Sequence, residues 1–436
     1  MLSVTWRNWG GTEVCAPSAT LCPTSADDVA AIVVRAADDG TTVKAVGSGH
    51  SFSGAAVTSG VHVDLSALRG LTGVDADART VSLAAGTRLH EIPDLLAPHR
   101  LAMANLGDID RQTVAGATST GTHGTGLQFG GISTQIVGAT LVTGTGDVVR
   151  LSSDDVELDA VALGLGALGI LTDITLRCVP AFGLRAVETT GSADDAIDGF
   201  LHRVAAHDHH EFYWFPHTDC ALLKANTRLD GDLPPDGPGR LRRYVDDELL
   251  SNKVFRALCE VGARAPWAVP GIAHLSGRAL SGRTFTDSST RVFVSSRTVR
   301  FHEMEYAIPL DSVPDAMREI RAMIARRRHR VSFPVEVRAA AADDLMLSTA
   351  TGRNSGYIAV HRYHRDDPTD SAAYFRDVEQ ILTAYDGRPH WGKMHTRDAE
   401  QLRAGYPRFD EFLTVRDRFD PGRVFANPYL TRTLGV

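Results

Sequence analysis

The run Val43-Lys44-Ala45-Val46-Gly47-Ser48-Gly49-His50-Ser51-Phe52-Ser53-Gly54 decides how this chain is read, because a short apolar segment ends in a glycine-rich turn that delivers a histidine. Gly47, Gly49 and Gly54 can adopt positive φ and let a ligand approach the main chain closely. Consecutive N–H groups of such a turn can converge on a pyrophosphate, helped by the hydroxyls of Ser48, Ser51 and Ser53. His50, with Phe52 just beyond it, then stands within reach of a cofactor ring. An ordinary turn between strands that carries a surface histidine has the same local composition.

A second glycine-rich segment, Asn105 to Gly126, bears on that choice. It holds Gly107, Asp108, Gly116, Thr118, Gly121, Thr122, His123 and Gly126, with little bulky apolar side chain beyond Ile109 and Val114. Such a stretch packs poorly by itself and is expected to wrap a ligand. A third stretch lies far downstream at Arg388-Pro389-His390-Trp391-Gly392-Lys393. The three together, in this order, resemble the vanillyl-alcohol-oxidase superfamily of FAD enzymes. Within it they resemble the aldonolactone oxidoreductase branch of sugar-lactone and alditol oxidases, and most of all its actinobacterial L-gulono-1,4-lactone dehydrogenases and oxidases.

The resemblance implies an α+β protein of two domains. A PCMH-type FAD-binding domain spans residues 1–180, an α+β cap domain over the substrate spans 181–410, and residues 411–436 return to the first domain. His50 matches the position at which many relatives hold FAD covalently through an 8α-histidyl bond, and His123 falls where it would position the cofactor by hydrogen bonds. The cofactor-binding set is Gly47, Ser48, Gly49, His50, Ser51, Phe52, Gly107, Asp108, Gly116, Thr118, Gly121, Thr122, His123, Gly126 and Lys393. Glu336, Arg338, His361 and Lys393 match the family's catalytic and substrate-contacting positions. The implied reaction oxidises a secondary alcohol of a sugar lactone, with hydride passing to flavin N5 and electrons then to oxygen or another acceptor. Glu336, His361 and Lys393 are the candidate bases. An alditol oxidase acting on xylitol or sorbitol is the nearest alternative, and Tyr363, where those enzymes carry a smaller threonine, disfavours an open-chain polyol. A flavin-binding module without turnover is the alternative outside enzymes, which the four catalytic candidates argue against.

The residues themselves support part of this. Phe333 to Arg338 alternates like a strand and puts Glu336 and Arg338 on one face, as Gly356 to Tyr363 does for His361 and Tyr363. A surface ion pair would share the first pattern. Only four lysines occur, Lys44, Lys224, Lys253 and Lys393, against many arginines, so a lysine kept inside a motif is informative. Beside the reduced ring's N1–C2=O edge an ammonium would stabilise negative charge. Gly164 to Gly169 spells a dinucleotide fingerprint, yet a strand-like run follows it where a helix is required.

The 436 residues suffice for two domains, and 43% hydrophobic content with 22% charged fits a globular enzyme. A net charge of -8 disfavours nucleic acid as a partner. Five scattered cysteines suggest neither a disulfide framework nor a thiolate metal site and fit a reducing cytoplasm. No apolar stretch reaches membrane-spanning length, which leaves room for a peripheral membrane contact. His207 to Glu211 has metal-capable side chains without a clean ligand spacing, so no metal is expected. Arg326 to Arg330 reads as a solvated helix end.

Overall fold

The computed structural model describes residues 5–229, 253–295 and 298–435. The Pro/Gly loop expected at Leu233 to Gly239 lies outside them. Helix α1 (Ala26–Asp38) begins where Ser25 accepts the Asp28 N–H, and Val29, Val33 and Ala36 recur on its buried face. The chain leaves it through Gly40, at φ +63°, and enters β2 (Val43–Val46), which with β1 (Ala19–Leu21) and β3 (Val61–Asp64) makes a small parallel sheet in the order β1-β3-β2. A five-stranded antiparallel sheet follows, built from β4 (Leu71–Asp75), β5 (Thr80–Ala84), β6 (Ile136–Val142), β7 (Val148–Ser152) and β8 (Ile170–Arg177) in the order β7-β6-β8-β5-β4. The Gly164–Gly169 turn leads directly into β8, so the dinucleotide-fingerprint reading fails for lack of a helix, as its sequence context foretold.

The largest sheet has eight strands: β9 (Gly183–Ser192), β10 (His209–Trp214), β11 (Cys220–Leu229), β12 (Arg283–Ser288), β13 (Phe301–Pro309), β14 (Val335–Ala340), β15 (Ser355–Tyr363) and β16 (Arg388–Pro389), in the order β12-β9-β11-β10-β14-β15-β13-β16. One face is covered by α2 (Val313–Arg327) and α3 (Pro368–Ala384), whose Val313, Met317, Ile320 and Ile324, then Tyr374, Val378 and Leu382, are buried. The basic run after α2 is a helix end, with Arg327 and His329 both bonded to Asp377. β14 and β15 are buried along their whole length, as befits central strands.

Two cores result. The first draws on Val29 to Cys178 and then on Trp391 and the chain's last turns; Leu402, Tyr406 and Phe409, ahead of residue 411, already pack in it. The second lies under the large sheet. The tail is tied to the glycine turn itself: Asn427 Nδ2 donates to the carbonyls of Gly54 (2.9 Å), Ala55 (3.2 Å) and Val57 (2.9 Å). The glycine-rich segment is joined to the large sheet where Gly126 N–H donates to Ala339 O at 2.8 Å. No helix among the described residues is long and apolar enough to cross a membrane.

Candidate active site

β2 hands the chain to the turn Gly47–Ser51, and each glycine there is required for a different reason. Gly49 has φ +66°, which only glycine adopts freely. Gly47 allows close approach, since a Cβ there would stand 2.5 Å from Thr113 Oγ1. Gly54, free to adopt positive φ, does not; it sits beneath Tyr429. The N–H groups of Ser48, Gly49, His50 and Ser51 donate to no acceptor within the described chain. They line a cleft whose other wall is Ala115, Gly116 and Thr120, with Gly166 and Leu171 closing it. A row of free backbone donors facing a glycine-walled cleft fits the pyrophosphate of FAD.

The cleft continues into an inner cavity, the two sharing His50, Ser51, Gln112 and Thr120 as walls. Phe52, Gly107, Asp108, Thr122, His123, Glu303, Glu305, Arg338, His390 and Lys393 line its inner part. The sequence-distant halves are stitched together by the main chain: Phe52 N–H donates to Gly392 O at 2.7 Å, and Ser53 Oγ donates to Trp391 O at 2.8 Å. This brings His50 and Lys393, 343 positions apart in sequence, to one cavity. Trp391 itself is fully buried, donates Nε1–H to Leu347 O and packs on Tyr406, a structural part as its position suggested.

His50 stacks on Trp9 with ring centroids 5.6 Å apart. Burial, then the positive charges of Arg88, Arg111 and Lys393, lower its pKa to about 4, so the imidazole is neutral and its nitrogen lone pair available at neutral pH. Lys393 forms a buried ion pair with Glu303 and lies 3.9 Å from Glu305. Burial opposes its charge, but Glu303 and Glu305 outweigh burial and raise the pKa, so Lys393 is an ammonium. In that state it has no lone pair with which to accept a proton. Arg338 is held by three carboxylates: Glu336, Glu211 at 3.2 Å and Asp108 at 3.4 Å.

Several expected residues take a different place. Glu336 and Arg338 share a face, but only Arg338 lines the cavity; Glu336 stands behind it, accepting from Tyr213 Oη at 2.6 Å. His361 also lies behind the wall, with Nδ1 donating to Pro334 O (3.2 Å) and Nε2 3.4 Å from Glu303. Tyr363 is off the site altogether. It is buried with Cys259 and Phe333 and donates to Glu260 at 2.7 Å, so it cannot narrow the cavity against a polyol. Thr118 is spent inside its helix, donating to Val114 O. Gly121 (φ +80°) and Gly126 (φ +129°) shape the backbone without lining cleft or inner cavity.

Sequence reading missed Trp9, Gln112, Thr120, Glu303, Glu305 and His390 as walls of the cavity. A signal existed for the glutamates: Phe301-His302-Glu303-Met304-Glu305-Tyr306 puts two carboxylates on one face of a strand that is otherwise core. His123, Glu305 and His390 bring three ligand-type atoms within 4.8 Å of one another, a group of metal-binding composition among the described residues. Its protons argue for another role. His390 Nδ1 accepts the Gly392 N–H at 3.0 Å, so the neutral ring carries its hydrogen on Nε2 and offers no second lone pair. Burial first, then Lys393 and His123, push its pKa down to about 3. The His207–Glu211 cluster is dispersed too, with His209 donating to Thr125 O at 2.7 Å.

Comparison with known proteins agrees with this architecture. The D-arabinono-1,4-lactone oxidase family matches residues 174–433, and an FAD binding domain matches 17–152. The chain is 42% identical to the L-gulono-1,4-lactone dehydrogenase of Mycobacterium tuberculosis over 434 residues, covering 100% of both. It is 29% identical to the L-gulonolactone oxidase of Bos taurus (98% of each chain) and 29% identical to the alditol oxidase of a Streptomyces species (98% and 99%). Among solved structures, a solvent-stable cholesterol oxidase superposes with a TM-score of 0.82 at 19% identity, over 99% of this chain and 97% of that one. A cholesterol oxidase from B. sterolicum gives 0.82 at 18%, over 99% and 96%. These two likenesses establish the fold. An FAD-type cleft opening into a cavity walled by a histidine, an arginine and a lysine ammonium, together with a family match over more than half its length, makes this chain an FAD-dependent oxidoreductase of the D-arabinono-1,4-lactone oxidase family.

Proposed function

We propose that the protein oxidises a secondary alcohol of a sugar lactone, L-gulono-1,4-lactone or a related aldonolactone, with FAD held covalently through His50. The observation that carries this reading is the meeting of His50, Arg338 and Lys393 at one cavity joined to the pyrophosphate cleft. FAD supplies the hydride acceptor. Ser48 to Ser51 would hold its phosphates by main-chain N–H groups, and neutral His50 would present the nitrogen for attachment. Arg338, its guanidinium fixed by Glu336, Glu211 and Asp108, donates to substrate oxygens in a set direction. Lys393 would supply positive charge to a ring that gains negative charge on reduction. Electrons pass to oxygen or to another acceptor. The five free cysteines support a reducing, cytoplasmic setting.

The preference for a lactone over an alditol rests on full-length similarity, 42% against 29%. Tyr363 lends it nothing. The test is kcat/KM for L-gulono-1,4-lactone, D-arabinono-1,4-lactone, xylitol and sorbitol with an artificial dye as acceptor, so that oxygen access does not mask the result. A lactone should win; alditols ahead by tenfold or more would transfer the assignment to alditol oxidation.

A further inference from the structure

Glu303 and Glu305 are alternate residues of β13 and stand on one face of it, 5% and 3% exposed. The main chain of each holds the 390–394 segment. The main-chain carbonyl of Glu303 accepts Met394 N–H at 2.9 Å and that of Glu305 accepts His390 N–H at 3.0 Å, which lays the segment along β13. The carboxylates then divide the cations above them. Glu303 takes Lys393 and, across the β13–β15 register, faces His361; Glu305 takes His123 at 3.2 Å.

We infer that Glu303 is a positioning residue of the reaction: its carboxylate fixes the Lys393 side chain in the inner cavity as an ammonium and sets the distance of that charge from the flavin ring. The assignment rests on reading the inner cavity as the ring site. Because both main-chain anchors survive a side-chain change, Glu303 can lose its charge without releasing the segment. The other groups facing Lys393 are Glu305 on β13, Asp108 on the glycine-rich segment, His50 on the first turn, His390 on its own segment and the ring of Phe52, 5.6 Å away. Glu305, 3.9 Å away and engaged by His123, and Asp108, engaged by Arg338, remain as weaker carboxylate partners, and His50 and His390 are neutral, so neither carboxylate fully replaces Glu303. With Glu303 uncharged, the strongest charge opposing burial is gone and the ammonium loses its proton at lower pH.

Sulfite tests this independently of turnover, because its binding to oxidised flavin, read by bleaching of the visible band, is strengthened by positive charge at the N1–C2=O edge. In Glu303→Gln holoenzyme the pH at which sulfite affinity falls away should move down by roughly 1–3 pH units relative to the unaltered protein. The pH above which flavin reduction fails should move with it. Glu303→Asp should restore most of both shifts. In the Lys393→Met background Glu303→Gln should change neither. Glu303→Gln with an unaltered sulfite pH profile beside a defective Lys393→Met overturns the positioning role. An effect of Glu303→Gln that persists without Lys393 overturns it equally. If Lys393→Met itself leaves sulfite affinity unchanged at every pH, the reading of the cavity as the ring site is what fails.

Discussion

His123 and Glu305 share one proton: His123 Nδ1 donates to its neighbour's carbonyl, Gly124 O, at 2.9 Å, while Nε2 faces Glu305 Oε1 at 3.2 Å, a contact between two acceptors unless a hydrogen lies in it. His123 also lies against Tyr357, with centroids 3.7 Å apart, so the ring cannot turn away. Burial works against the Glu305 charge, but His123 and then Lys393 hold the carboxyl well below its usual range.

Removing one partner should leave the other buried and unsatisfied. Glu305→Ala or His123→Ala should each cost about 3–5 kcal/mol of stability, measured by denaturant unfolding of the holoprotein. The double variant should cost clearly less than the sum. Strict additivity would show that the two do not interact.

The His50 bond makes a visible prediction. The purified protein should be yellow, and the colour should stay with the pellet after acid precipitation. Flavin should leave with the supernatant in His50→Ala. Complete release of flavin from the unaltered protein would remove the covalent bond from the account and leave the FAD site in place.

Acid sensitivity should begin near the ordinary histidine range. Burial first, aided by neighbouring cations, lowers His390 and His395 to about 3 in the folded protein. Unfolded, each takes its proton near pH 6.5. The unfolded chain thus binds more protons between about pH 3 and 6.5, so stability falls as pH drops through that window, by up to about 1.4 kcal/mol per pH unit per histidine. Glu303, whose pKa Lys393 and His361 pull down to about 2 against the effect of burial, contributes its loss only below about 4.5. Melting temperature measured from pH 6.5 to 4.5 therefore reports the histidines against the opposing contribution of Asp343, whose carboxyl burial raises to about 6, and His395→Asn should flatten that slope.

Tyr363→Phe should leave the ratio of lactone to alditol kcat/KM unchanged, because the hydroxyl is bonded to Glu260 away from the cavity. Arg338→Lys should instead raise KM, since an ammonium cannot reproduce a planar fork held on three sides. A changed substrate ratio in Tyr363→Phe would place that ring back in the site.

Local chemistry made much of this protein legible in one dimension. The Gly47–Gly54 turn follows from backbone needs that no other residue meets, α1 from its Ser25 cap and apolar spacing, and β14 and β15 from period-two alternation. The rarity of lysine marked Lys393, and three motifs in order marked the cofactor. Alternation states which residues share a face of a strand, however, and says nothing of what that face meets. Glu336 and Arg338 share one, yet packing against Tyr213 sends the carboxylate behind the guanidinium; His361 and Tyr363 share another, and it faces Glu303 at one residue and the buried cluster around Cys259 at the other. Glu303 and Glu305 became part of the site only when the main chain of residues 390–394 was laid on β13. Charge state was likewise settled by the fold, because whether Lys393 is a base or a fixed cation depends on the carboxylates that long-range strand pairing sets beside it.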